Sequence, residues 1–278
     1  MAFKDILVHV DGSKTDAARL EAAAGLAQRH DAHLIGLFVQ RSPMVPEYAW
    51  VHLTQDIITA QEKAMREAAE SAKAAFNEAV KHSGVASEWR SPIGDIVEQV
   101  ALNARYADVV VIGQEDEEGP VATGAGSLAD RLVMSVGRSA LVIPYVGTYP
   151  TIGERVLVAW DASRQASRAV HDAMPILETA KEVHVLAVNP IKGETGHGEA
   201  PGADISTHLA RHGVKAQAHY INASDMDVAS MLLSRLADEG CDLMVMGAYG
   251  HARFRELVLG GVTRHILDHM TAPVLMSH

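Results

Sequence analysis

The feature that most limits what this chain can become is a repeat. Ile6-Leu7-Val8-His9-Val10-Asp11-Gly12-Ser13 answers to Val156-Leu157-Val158-Ala159-Trp160-Asp161-Ala162-Ser163, an offset of 150 residues. Ala107-Asp108-Val109-Val110-Val111-Ile112-Gly113 answers to Cys241-Asp242-Leu243-Met244-Val245-Met246-Gly247, an offset of 134, and Ser139–Ile143 answers to Ala272–Met276. The matches come in the same order in both halves, as a duplicated domain requires. The halves are 1–147 and 153–278, joined through the turn-rich Gly147-Thr148-Tyr149-Pro150-Thr151-Ile152-Gly153.

Each copy alternates strand and helix. The first reads as strand Asp5–Val10, helix Lys14–Arg29 with Ser13 as N-cap, strand Leu34–Val39 and a long helix Thr54–His82. Strand Ala86–Arg90, helix Ile93–Ala104, strand Val109–Ile112, helix Ser127–Val136 and strand Ala140–Pro144 follow. The second copy repeats the order, with strands near Arg155–Trp160, Val183–Val188, Lys215–Ile221, Leu243–Met246 and Val274–Met276 and a shorter middle helix, Ala203–His212. The strand runs are continuously apolar instead of alternating, which marks parallel strands covered on both faces. The expectation is α/β: two doubly wound, five-stranded parallel-sheet domains in tandem, with ligands taken at the carboxyl ends of the strands where the winding reverses. The apolar closing strands Ala140–Pro144 and Val274–Met276 invite pairing through sheet edges, domain to domain within the chain or chain to chain in a homodimer.

Composition removes several function classes. A formal charge of −11 argues against nucleic acid as a partner. No apolar run approaches the ~18 residues of a membrane span, and the N-terminus lacks the layout of a signal peptide. The single cysteine, Cys241, excludes an internal disulfide and reads as a small core residue, so a cytoplasmic protein is expected. Met174, Met231, Met244 and Met246 read as packing residues. The helix Thr54–His82 reads as a solvated outer helix with an apolar inner stripe and charges at i,i+4, such as Glu62 with Arg66.

The stretch Asp242–Thr263 carries the chemistry. A short apolar strand runs into Gly247 and Gly250; Gly260 and Gly261 then open a segment of helical spacing that includes Val262 and Thr263. Glycine lets a backbone turn with positive φ and approach a ligand closely, and the first amides of a helix have no internal partner. Gly-x2-Gly-x9-Gly followed by a small residue resembles the nucleotide-binding signature of the universal stress protein family. Asp161 at a strand end and the closing strand after Ala272-Pro273 are similar to that family too, and the resemblance spans both halves.

The resemblance implies ATP or another adenine nucleotide, with Mg²⁺ as a companion ion. Gly247, Gly250, Gly260 and Gly261 would surround the phosphates, next to Met246 at the end of the strand. The backbone at Ala159 and Val188 would line the adenine pocket, with Trp160 and Asp161 on its nucleoside side. Val262 and Thr263 lie on the helix start facing the phosphates, and His251 stands where the family usually has Arg or a similar polar group. One position departs from the pattern: the Ser or Thr expected after the third glycine is Gly261 here. An ordinary hydrogen bond contributes ~1 kcal/mol net, so the missing hydroxyl would weaken binding more readily than abolish it. Thr263 is a candidate substitute donor. The structural alternative is that Gly247 and Gly250 are turn residues, Gly260-Gly261 a helix start, and Asp161 with Ser163 a local cap.

The first copy departs further. Gln114-Glu115-Asp116-Glu117-Glu118 follows Gly113, and at ~6 Å each like-charge pair with a phosphate costs about 3 kcal/mol at an effective dielectric of 20. A degenerate site on a supporting domain is expected there; divalent-metal binding by the carboxylates is a further option. Asp11 and Ser13 persist, in keeping with a structural turn common to both halves. His265 and His269 have zinc-compatible i,i+4 spacing, with His251 and His278 as further imidazoles, but no metalloprotease Glu accompanies them, and a metal site is not the favoured reading. No Walker motif, Rossmann fingerprint, nucleophile elbow or general base is present, so no catalytic residue is assigned and any ATP hydrolysis should be slow. Two functions remain: a nucleotide-binding stress-response protein, or an interaction module with both sites vestigial. A nucleotidyl-transferring enzyme, a distant third, would need a further Gly/Ser-rich phosphate turn after the first strand.

Overall fold

The computed structural model describes residues 2–40, 55–115, 127–190, 200–223, 226–250 and 261–278. The N-terminal half runs β1 (Asp5–Val10), α1 (Asp16–His30), β2 (His33–Phe38), α2 (Gln55–Ser83), β3 (Ser87–Arg90), α3 (Ile96–Ala104), β4 (Val109–Gly113), α4 (Leu128–Ser135) and β5 (Ser139–Ile143). The C-terminal half runs β6 (Arg155–Ala159), α5 (Arg164–Leu177), β7 (Glu182–Val188), α6 (Ala203–Arg211), β8 (Ala216–Ile221), α7 (Val228–Asp238), β9 (Leu243–Gly247), α8 (Gly261–His269) and β10 (Val274–Ser277).

The two sheets are one. Strand order is β3-β2-β1-β4-β5-β10-β9-β6-β7-β8, parallel within each half, with β5 and β10 antiparallel through Val142↔Val274, Leu141↔Leu275 and Ala140↔Met276. Of the two pairings the closing strands invite, the chain uses the internal one, so the halves meet like subunits of a dimer. Both strands are completely buried, as burial of a long apolar edge demands.

Successive strand residues go to opposite faces. Ile6 and Val8 join Leu20 of α1, Phe76 of α2, Ala169 of α5 and Leu209 of α6 in one core layer. Leu7 joins Val100 of α3, Leu132 of α4, Leu232 of α7 and Ile266 of α8 in the other. The continuous apolar runs are thereby consumed on both sides, in two doubly wound halves. Met174, Met244, Met246 and Cys241 are buried in these layers, but Met231 is only half-buried. On α2 the inner stripe is Ala69, Ala72 and Phe76, and Lys63–Glu67 forms an exposed i,i+4 pair at 3.8 Å.

Two helix starts differ from the sequence expectation. Ser13 does not cap α1: the helix begins at Asp16, after Thr15, and Thr15 makes no side-chain cap. Instead the Asp11 carboxylate accepts the Ser13 amide at 2.9 Å, and Asp16 reaches back to accept the amides of Asp11 (3.3 Å) and Gly12 (2.7 Å). α3 starts at Ile96 and not Ile93, because Asp95 is the cap, accepting from the Glu98 amide at 3.0 Å. Ser127 caps α4 in a reciprocal capping box with Asp130.

Candidate functional site

The carboxyl ends of β7, β6 and β9 lie side by side at one end of the sheet. Ala159 of β6 is in register with Met246 of β9 on one side and Leu186 of β7 on the other, and Val188 closes β7 beside them. Ala159 and Val188 are half-buried, and Met246 is buried. The Trp160 amide donates to the Leu186 carbonyl at 2.9 Å, extending the ladder past the strand end. Its half-buried indole packs on the core layer below. Asp161 is exposed and accepts the Ser163 amide at 3.0 Å, the turn already seen at Asp11 and Ser13. Ser163 then caps α5, its hydroxyl accepting from the Ala166 amide at 3.1 Å.

The glycines differ in what they do. A Cβ at Gly247 would lie 2.4 Å from the Ala166 amide nitrogen and 2.7 Å from the Gln165 carbonyl carbon. Glycine is therefore demanded there by the first turn of α5. At Gly250 a Cβ would meet Gln165 Oε1 at 3.4 Å and Ser163 Oγ at 3.5 Å, ordinary contact distances, so packing does not demand glycine there. Gly261, the exposed first residue of α8, would bring a Cβ within 4 Å of nothing among the described residues, so none of them demands glycine there. His251 and Gly260 lie outside the described residues. Val262 is exposed. Thr263 is buried, and its hydroxyl accepts the Tyr249 amide at 3.3 Å, tying the start of α8 to the loop after β9.

Three residues without a role in the sequence reading stand just beyond these strand ends. Ala162, Asn189 and Tyr249 have φ of 57°, 50° and 58°, and each follows the end of one of the three strands. Non-glycine residues seldom adopt this region, and such strain concentrates at binding sites. Asn189 had a partial signal, since Asn tolerates the left-handed region; its Oδ1 accepts the Ala223 amide at 2.7 Å, linking β7 to the segment after β8. Ala162 and Tyr249 carry no such mark. Tyr249 donates its hydroxyl proton to Asp130 of the N-terminal half. Burial, then the hydrogen bond and charge of Asp130, raise the phenol far above its ordinary pKa. His278 reaches the same loop, its Nδ1 3.1 Å from the Ala248 carbonyl oxygen.

The histidines of α8 face one another. The rings of His265 and His269 stack at 4.3 Å, and His269 Nδ1 lies 3.0 Å from the His265 carbonyl of its own helix. Among the described residues no group of three or more His, Cys, Asp or Glu could hold a metal ion. No helix among them is long and apolar enough to cross a membrane. In the N-terminal half, Gln114 turns toward the partner domain: its side-chain amide donates to the carbonyls of Leu267 (2.8 Å) and Asp268 (3.2 Å) near the end of α8. Of the acidic run, Glu115 is exposed and 116–118 lie outside the described residues.

The universal stress protein family matches twice, over residues 2–144 and 153–278. A universal stress protein of Synechocystis sp. is 28% identical over 173 residues, which is 60% of this chain and 57% of the relative's own length. A universal stress protein from Archaeoglobus fulgidus shares the fold with a TM-score of 0.74 at 18% identity, over 98% of this chain and 95% of that one. A putative universal stress protein from Pseudomonas aeruginosa aligns at TM-score 0.57 and 14% identity, over 99% of this chain and 93% of that one. With both halves matched, this chain belongs to the universal stress protein family and carries two of its domains in tandem.

Proposed function

We propose that the C-terminal half binds an adenine nucleotide, ATP or AMP, with Mg²⁺ accompanying a polyphosphate, at the carboxyl ends of β6, β7 and β9. The observation that carries this reading is Gly261. It opens an exposed helix start, no described neighbour requires it to be glycine, and it directly follows the third glycine of the family's pattern, where the first amides of the helix are open to a phosphate. The strand ends beside it are turned by Ala162, Asn189 and Tyr249 in left-handed conformations, which supports a crevice shaped for a ligand. Adenine would lie against Ala159 and Val188, with Asp161 on the nucleoside side. Occupancy would act in a cytoplasmic stress response by changing the chain's stability or its choice of partner. The sequence offers no identifiable general base, so the role is read as binding, with ATP hydrolysis slow at most. Because β5 and β10 pair with each other, strand pairing in a homodimer would have to use the outer strands β3 and β8.

One observation favours the second reading, an interaction module without nucleotide. The Thr263 hydroxyl is engaged by Tyr249 and buried, and Gly261 supplies no hydroxyl in its place. Native mass spectrometry of the purified protein separates the two. A mass excess matching an adenine nucleotide, absent when Gly261→Phe blocks the helix start, supports the first; no adduct, with ATP added in excess, supports the second.

A further inference from the structure

The N-terminal half has a cavity of its own at the carboxyl ends of β1, β2 and β4, about 550 Å³ in volume. That is the size of ordinary small-molecule sites. Its walls are apolar, formed by Phe38, Val39, Ile96, Ile112, Leu128 and Leu132. Its polar part is the Asp11–Arg19 pair, with His9 and Glu115 also bordering the space.

This polar part is built differently from the C-terminal strand ends. There, the first turn of α5 fills the space beside the strand-end glycine. Here the Arg19 side chain fills it, and a Cβ at Gly113 would lie 2.6 Å from Arg19 Nη1. Arg19 is 2% exposed; its Nη2 pairs with Asp11 at 3.0 Å and with Asp16, while Nε has no hydrogen-bond partner. Asp16 and Glu115 bring the carboxylates to three, against one guanidinium and the His9 imidazole. Burial alone would raise Asp11, but Arg19 and the Ser13 hydrogen bonds override it and hold Asp11 well below the usual carboxylate range. Burial lifts Asp16 to about 6, so at neutral pH it too is largely ionised. The local balance stays negative even with His9 protonated. A phosphate is repelled by that balance, and the guanidinium that could have met it is already neutralised. Asp11, with a third of its side chain exposed, is the carboxylate a ligand can reach.

We propose that this cavity is a second ligand site, taking a compact apolar molecule with an amine or other hydrogen-bond-donating head and excluding phosphate esters. The site stands independently of nucleotide binding in the other half. The test uses three probes with one apolar body: 1-naphthylmethylamine, 1-naphthylmethanol and 1-naphthylmethyl phosphate, titrated calorimetrically into the full chain. The amine should bind one to one, roughly tenfold tighter than the alcohol, with the phosphate not binding measurably. Asp11→Asn should abolish the preference for the amine while sparing the alcohol. Ala68→Trp or Met65→Trp, each filling the cavity from α2, should remove amine binding and leave any ATP-induced rise in melting temperature unchanged. No saturable amine binding, tightest binding of the phosphate, or amine binding untouched in a folded tryptophan variant overturns the proposal. If neither tryptophan variant folds, an amine preference that survives Asp11→Asn overturns it instead.

Discussion

The phenol of Tyr249, in the loop after β9, donates to the carboxylate of Asp130 in α4 of the other half. The second oxygen of Asp130 lies 4.0 Å from Arg264 Nε on α8. Asp130 and Arg264 are equivalent positions of the two copies, 134 residues apart, so this pair lies across the relation that duplicates the domain. A residue of the N-terminal half thus braces the loop on which the proposed nucleotide site depends. Tyr249→Phe removes a buried hydrogen bond to a charged acceptor and should lower the unfolding free energy by about 2 kcal/mol, measured by urea denaturation. An unchanged midpoint would show that the brace contributes nothing.

Gly247 and Gly261 should behave oppositely when changed to alanine. At Gly247 the new methyl meets the backbone of α5, which cannot move without displacing its capped first turn, so a loss of roughly 3 kcal/mol or failure to fold is expected. At Gly261 the methyl meets no described neighbour, and alanine should raise stability by up to about 1 kcal/mol through helix propensity. Thermal melts of the two variants check both signs.

The duplication and the doubly wound parallel halves were legible because they rest on continuous apolar runs that only a doubly covered parallel sheet can bury; the sequence left open whether the closing strands pair within the chain or between chains, and the structure pairs β5 with β10. The strand-end turn at Asp161 and Ser163 was legible for the same reason in both copies. What stayed hidden was side-chain direction. Ser13 looks like a cap, yet Asp16 takes the turn's amides, because in this half Arg19 draws two carboxylates inward. Gly113 and Gly247 look alike in sequence, although one makes room for a guanidinium and the other for a helix backbone. Left-handed Ala162 and Tyr249 have no sequence mark, since neither is a residue that favours that conformation.

His30 gives the fold a pH dependence. It is buried against Phe3 at a ring distance of 4.9 Å, and its Nε2 has no hydrogen-bond partner. Burial, helped by the charge of Arg29, lowers its pKa from 6.5 to about 4. The unfolded chain therefore binds more protons between these values, and stability falls as pH drops from 6.5 to 4, by on the order of 2 kcal/mol. Asp16, raised from 3.8 to about 6, has the opposite slope over part of the range. The difference between wild-type and His30→Leu stability curves isolates the histidine: it should shrink by that amount as pH falls through the window, and a flat difference would contradict the assignment.

Restoring a hydroxyl at the helix start should strengthen the proposed site. Gly261→Ser places a donor where the family pattern has Ser or Thr, and ~1 kcal/mol corresponds to about fivefold tighter ATP binding. Isothermal titration of both proteins reads this directly, and equal or weaker binding by the serine variant would place the phosphates elsewhere.

The most direct test of the C-terminal nucleotide site is a melting curve with and without ATP and Mg²⁺. At a free concentration 100 times Kd, ligand binding adds ~2.7 kcal/mol of stability, and the melting temperature should rise accordingly in the wild type. It should not rise in Gly261→Phe, whose melt without nucleotide should stay close to wild type because the exposed position brings its Cβ against no described neighbour. No rise with ATP, ADP or AMP at any concentration, or an equal rise in Gly261→Phe, would contradict the assignment.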